Sequence, residues 1–114
     1  MLRHVFHPIA PWGLPGGWLK RNEAPEVGAL RELREETGLT AVIGPPISIS
    51  HNTSPANTNI AYQAELQDGN MTLSSEILEA RWFSIGELPS PLNPYVKEAI
   101  VAAYSSTMQP GSLN

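Results

Sequence analysis

The stretch GGWLKRNEAPEVGALRELREETGL, Gly16 to Leu39, decides how this chain is read. It carries Glu23, Glu26, Glu32, Glu35 and Glu36, and a pair of glycines stands in front of them. Pro25 suits the first position of a helix, where its missing N–H costs nothing, and Gly38 suits the left-handed residue that ends one. On a wheel with Glu32 at the origin, Glu36 falls at about 40° and Glu35 at about 300°, so the three carboxylates share an arc of about 100°. Gly28 lies in the same arc, which leaves room for something to approach the backbone. Leu33, Leu30 and Val27 lie on the opposite side and are assigned to the core.

Like charges three or four residues apart destabilise a helix by roughly 0.2–0.5 kcal/mol per pair. A purely structural helix would intersperse lysines on that face, and this one does not. A hard cation, Mg²⁺ or Mn²⁺, takes oxygen ligands and would compensate the clustered carboxylates. The wheel alone does not separate this reading from a solvated acidic surface.

Composition narrows the field. The chain has 114 residues, which makes one domain (1–114) large enough to carry a core. With 41% apolar and 16% charged residues it is ordinary globular material. A net charge of -4 excludes a protein that coats a nucleic-acid polymer, but not one that takes a small phosphate-bearing molecule with a cation. The absence of cysteine removes disulfides, thiolate chemistry and zinc–thiolate sites. No apolar run approaches a membrane span and no signal-peptide pattern opens the chain, so the expected location is cytoplasmic, with no membrane contact. The glycosylation sequons at Asn52 and Asn70 are read as chance matches.

Around the central stretch the elements alternate. Leu2 to Phe6 reads as a strand, followed by an irregular connection rich in proline and glycine up to Gly17. Val42–Ile43 and Ile47–His51 read as short strands interrupted by Gly44-Pro45-Pro46. Residues 51–59 read as a polar loop, Asn59–Leu66 as a strand, and Asp68-Gly69-Asn70 as the turn after it. Ala80–Ser84 is an expected strand, Ser84 to Glu87 a short helical turn. Asn93-Pro94 opens a last helix with Val96, Ile100, Ala103 and Tyr104 on one face. The class is α/β.

The spacing of the central stretch fits Gly-x5-Glu-x7-Arg-Glu-U-x-Glu-Glu-x-Gly-U, with U a bulky aliphatic. The positions are Gly17, Glu23, Arg31, Glu32, Leu33, Glu35, Glu36, Gly38 and Leu39. This is the Nudix box, and the chain resembles the Nudix hydrolase family; a match this long is far more specific than a lone glycine motif. Trp12 to Trp18 and Ala80 to Pro89 resemble the family's approach to the box and its late strand and turn. The resemblance implies the Nudix fold, a mixed sheet sandwiched between helices. It also implies metal-dependent hydrolysis of a pyrophosphate bond in a nucleoside diphosphate linked to another group. By the same resemblance Glu32, Glu35 and Glu36 are metal ligands joined by the Gly16 carbonyl. Glu32 and Glu35 are both candidates for the base, and Glu23 with Arg31 braces the loop against the helix. Glu76 is the expected further acidic ligand, ahead of Glu79, which is read as solvated or paired with Arg81.

The chain departs from the family where it opens. Members usually have one more strand before the segment matched by Leu2 to Phe6. A fold lacking that first strand would expose edges or apolar surface, and the expectation is a homodimer that covers them. The competing reading is an inactive Nudix-like nucleotide-binding or regulatory module, or a truncated remnant. His4, His7 and His51 are too scattered for a zinc site and are read as solvated or hydrogen-bonding. Trp12, Trp18 and Trp82 are read as packing residues, Arg3 is a weak candidate for a phosphate contact, and the loop 52–59 is expected to border the substrate. No residue identifies the substrate itself.

Overall fold

Pro25 and Gly38 bracket the first helix, α1 (Pro25–Thr37), in the computed structural model. The structure describes residues 1–5, 9–53, 56–67 and 69–108, apart from the side chains of 52 and 106–108. Gly38 adopts φ 75° and donates its N–H to Arg34 O at 2.8 Å, a closure that a side chain would strain. Thr37 Oγ1 donates to Leu33 O at 2.6 Å and accepts the Leu39 N–H at 3.1 Å. The last carbonyls of a helix have no partner within it. Here Ser74 N–H reaches Glu36 O at 3.0 Å and Thr72 N–H reaches Thr37 O at 2.8 Å. Those two bonds hold the segment before Glu76 beside the helix end.

In chain order the elements are β1 (Leu2–His4), β2 (Trp12–Gly13), α1, β3 (Ala41–Thr53), β4 (Ala56–Leu66), β5 (Ile77–Ala80), a 3-10 turn (Ile85–Glu87) and α2 (Pro94–Met108). The architecture is α/β. Among the described residues all strand pairs are antiparallel: one sheet has the order β2-β1-β5, and β3 and β4 form a hairpin of their own. The core gathers Leu2 and Ile77 from the first sheet, Leu39 and Ala41 from the entry to β3, and Val96 and Ala99 from α2.

Several expected boundaries move, each for a physical reason. Gly44-Pro45-Pro46 does not break β3; the register shifts on either side of Pro46, so the prolines sit where no ladder donor is needed. The polar loop 51–59 is mostly strand, since Asn52 pairs with Asn57 and Thr53 with Ala56, and cross-strand bonding overrides poor β propensity. The late strand is Ile77–Ala80 rather than Ala80–Ser84, because its partner residues on β1 run only from His4 to Leu2. Phe6, His7, Ser54, Pro55 and Asp68 lie outside the described residues.

The face of α1 assigned to the core is also corrected. Val27 is 54% exposed and Leu30 and Leu33 are half-buried; α1 buries Gly28, Glu36 and Thr37 instead. The loop of residues 16–23 lies against the acidic arc at Glu32 and Glu36 and leaves Glu35 half exposed. On α2, Val96 and Ala99 are buried, whereas Tyr104 is exposed.

Candidate active site

Arg31 organises the acidic face of α1. Its Nε donates to Glu23 Oε2 at 2.7 Å and its Nη2 to Glu23 Oε1 at 3.0 Å, a two-pronged pair. Nη2 also donates to Trp18 O at 3.1 Å, and Nη1 reaches Glu32 Oε1 and Glu35 Oε1, both at 2.8 Å. One guanidinium thus ties the loop to the helix and neutralises part of its charge. The Arg31 bonds, with the Lys20 N–H at 2.9 Å, hold the Glu23 carboxyl down at about 2, and Arg31 itself is raised. Asn22 takes φ 62° in the turn closed by Glu23 N–H to Lys20 O at 3.1 Å, a left-handed position that asparagine tolerates.

The glycines serve close approach. A Cβ on Gly17 would stand 2.8 Å from the Glu32 carboxylate atoms, so a side chain there would push that carboxylate, which Arg31 holds, out of its place. A Cβ on Gly28 would meet Leu19 Cδ2 at 2.3 Å and Glu23 Oε1 at 3.1 Å. The room at Gly28 is therefore filled by the protein's own loop. The Gly16 N–H donates to Glu36 Oε1 at 2.9 Å, and His4 Nδ1 lies 4.0 Å from Glu36 Oε2. Burial pushes the Glu36 carboxyl up to about 7; the Gly16 N–H opposes this, and the charges of Glu32, Glu76 and Glu35 add to it.

Glu76 is exposed, but its charge is felt at Glu36, and its carbonyl accepts the Val5 N–H at 3.0 Å. Glu79 is paired with Arg81 and lies 3.5 Å from Arg3 Nε. Arg81 also stands over Trp12 and Phe83, 5.5 and 5.7 Å from the ring centroids, and these rings meet edge to face. Trp18 and Trp82, expected to pack, are 76% and 80% exposed. An open groove of about 400 Å³ on the hairpin, lined by Val42, Gly44, Pro45, Gln63, Ala64 and Glu65, includes no residue of the acidic cluster.

The donor set is all hard oxygen, as Mg²⁺ and Mn²⁺ prefer. Among the described residues no three acidic or histidine side chains converge as a ready-made cage. Arg31 draws Glu32 and Glu35 toward itself, whereas Glu36 is held by Gly16. A buried carboxyl crowded by three others is nevertheless a group that a cation would relieve. Two neighbours were not marked out by spacing. His4 could have been found from strand alternation, since it shares a face of β1 with buried Leu2. Tyr95, in the first turn of α2, is raised by burial and by the Glu36 charge, and nothing in its local sequence signals this.

A NUDIX domain profile matches residues 1–103, and the chain belongs to the Nudix family. It is 31% identical over 77 residues to a MutT-like protein of Streptomyces ambofaciens, covering 68% of this chain and 50% of that protein. It is 30% identical over 90 residues to a putative 8-oxo-dGTP diphosphatase of Bacillus subtilis (strain 168), covering 78% of this chain and 60% of that one. The chain thus spans 50–60% of the length of these curated relatives. The crystal structure of a Nudix hydrolase from Nitrosomonas europaea superposes with a TM-score of 0.82 at 23% identity, over 96% of this chain and 65% of that one, and shows the same fold.

Proposed function

We propose that the protein is a metal-dependent pyrophosphohydrolase that splits a pyrophosphate bond in a small nucleoside diphosphate derivative. The observation that carries this is the placing of Glu32, Glu35 and Glu36 on one face of α1, where Arg31 bonds the first two and the Gly16 N–H holds the third. The names of the relatives, a diphosphatase among them, support the reaction class. Glu32, Glu35, Glu36, Glu76 and the Gly16 carbonyl would hold Mg²⁺ or Mn²⁺. When bound, such a cation neutralises the pyrophosphate and lowers the pKa of an attacking water. Glu32 or Glu35 takes the proton from that water. Arg31 keeps both carboxylates oriented on the helix, and Glu23 fixes Arg31.

A homodimer and a reducing, nucleotide-rich compartment such as the cytoplasm complete the reading; the exposed apolar side chains of the hairpin and the lack of cysteine support them. Among the described residues no helix is long and apolar enough to cross a membrane. The second reading is a binding or regulatory module. It is favoured by Arg31, which already occupies oxygens of Glu32 and Glu35. Phosphate release from a panel of nucleoside di- and triphosphate derivatives, with and without Mg²⁺, separates the two. Turnover that needs the metal and falls by orders of magnitude in Glu36→Gln is expected. A panel without metal-dependent release leaves the binding module as the function.

A further inference from the structure

Glu36 is bracketed from two sides, one just before the box and the other far from it in sequence. The Gly16 N–H fixes Oε1, while Oε2 faces the imidazole of His4, which comes from β1, 32 residues earlier in the chain. Both side chains are sheltered, at 16% exposure for His4 and 9% for Glu36. The imidazole lies beside β2, where a Cβ built on Gly13 would be in ordinary contact with it, 3.6 Å from His4 Nε2. The backbone beneath is anchored: His4 N–H donates to Pro11 O at 2.8 Å and Val5 N–H to Glu76 O at 3.0 Å. The end of β1 therefore meets β2, Glu36 and the segment that carries Glu76.

We propose that His4 is a positioning residue for Glu36, orienting its carboxylate from the side opposite Gly16. The inference rests on Glu36 being a metal ligand, as proposed above. A separation of 4.0 Å is too long for a hydrogen bond and suits either a direct electrostatic contact or one bridging water. Imidazole is a poor donor for Mg²⁺, so His4 acts through the carboxylate rather than as a ligand. Groups that orient a metal ligand in this way typically carry tenfold or more in metal affinity.

The test is Mn²⁺ binding to the purified chain, followed by the electron paramagnetic resonance of free Mn²⁺, together with thermal melts in EDTA. His4→Phe keeps a ring beside Gly13 but removes both nitrogens; it is expected to weaken Mn²⁺ binding roughly tenfold while still melting cooperatively. His4→Asn, whose amide nitrogen stands near the place of Nδ1, should recover part of the loss. In a Glu36→Gln background the His4→Phe change should add little, because its effect runs through Glu36. Wild-type affinity in His4→Phe, or an equal added loss without the Glu36 carboxylate, overturns the assignment of His4. No Mn²⁺ binding by the wild type, or none lost in Glu36→Gln, overturns the metal reading of the site, and His4 with it.

Discussion

Glu36 is a carboxyl with a proton problem. Buried beside three other acids, it is pushed from 4.5 up to about 7. Between those values the native state holds a proton that the unfolded chain has released. This group's contribution to native stability therefore falls as pH rises through that window, and is flat on either side. Melts of the metal-free protein across the window should show the decline, and Glu36→Gln should remove it. Added Mg²⁺ should counter the decline near neutral pH, where a cation replaces the proton. Glu76 and Glu79 differ for a related reason. Glu79 already pairs with Arg3 and Arg81, whereas Glu76 raises Glu36 by its charge. Glu76→Ala should weaken turnover and raise the Mg²⁺ concentration needed, and Glu79→Ala should leave both near wild type. Loss of metal-dependent turnover in Glu79→Ala instead would reverse the choice between them.

In α1, a glycine at position 28 costs about 1 kcal/mol of helix propensity relative to alanine. Leu19 and Glu23 occupy the space a methyl group there would take. Leu19 meets that space with the end of a flexible chain, half exposed, while Glu23 is held by Arg31. Gly28→Ala alone should therefore recover only part of the propensity difference. In a Leu19→Ala background it should recover most of it, measurable as a higher denaturant midpoint for the double variant than for Leu19→Ala. The bounds of this helix are legible in the sequence because Pro25 and Gly38 act through backbone geometry that no neighbour can override. The strands are less so. Gly44-Pro45-Pro46 reads as an interruption, yet two register shifts absorb it once β4 lies alongside. The buried face of α1 is misread because hydrophobicity points to Val27, while the loop that lies against the opposite arc is seated by an ion pair. The place of His4 on the buried face of β1 follows from strand alternation, but its role does not. Its significance depends on contact with Glu36 across a sheet and a helix, and no local pattern encodes that distance.

At the scale of the molecule, the apolar surface is distributed unusually. Ile49 and Ile60 face each other across β3 and β4 and are 63% and 39% exposed, with Val42 at 57% on the same strand pair. A two-stranded ribbon is marginal in water without something packed on it; here α1 and α2 contact the ribbon but leave these side chains in water. A second copy of the chain is the proposed cover, and sedimentation equilibrium at micromolar concentration should find at least two chains per particle. Ile60→Lys should shift that equilibrium toward the monomer; a stable monomer in the wild type would show the ribbon to be self-sufficient. The separateness of the two sheets has a further consequence for how the native state opens. β3 and β4 bond laterally only to each other among the described residues, whereas β1 is bonded on both sides. Amide protons of the hairpin can therefore meet deuterium through a partial opening that leaves the other sheet closed. Those of Leu2 to His4 can do so only when the strands that flank them on both sides let go.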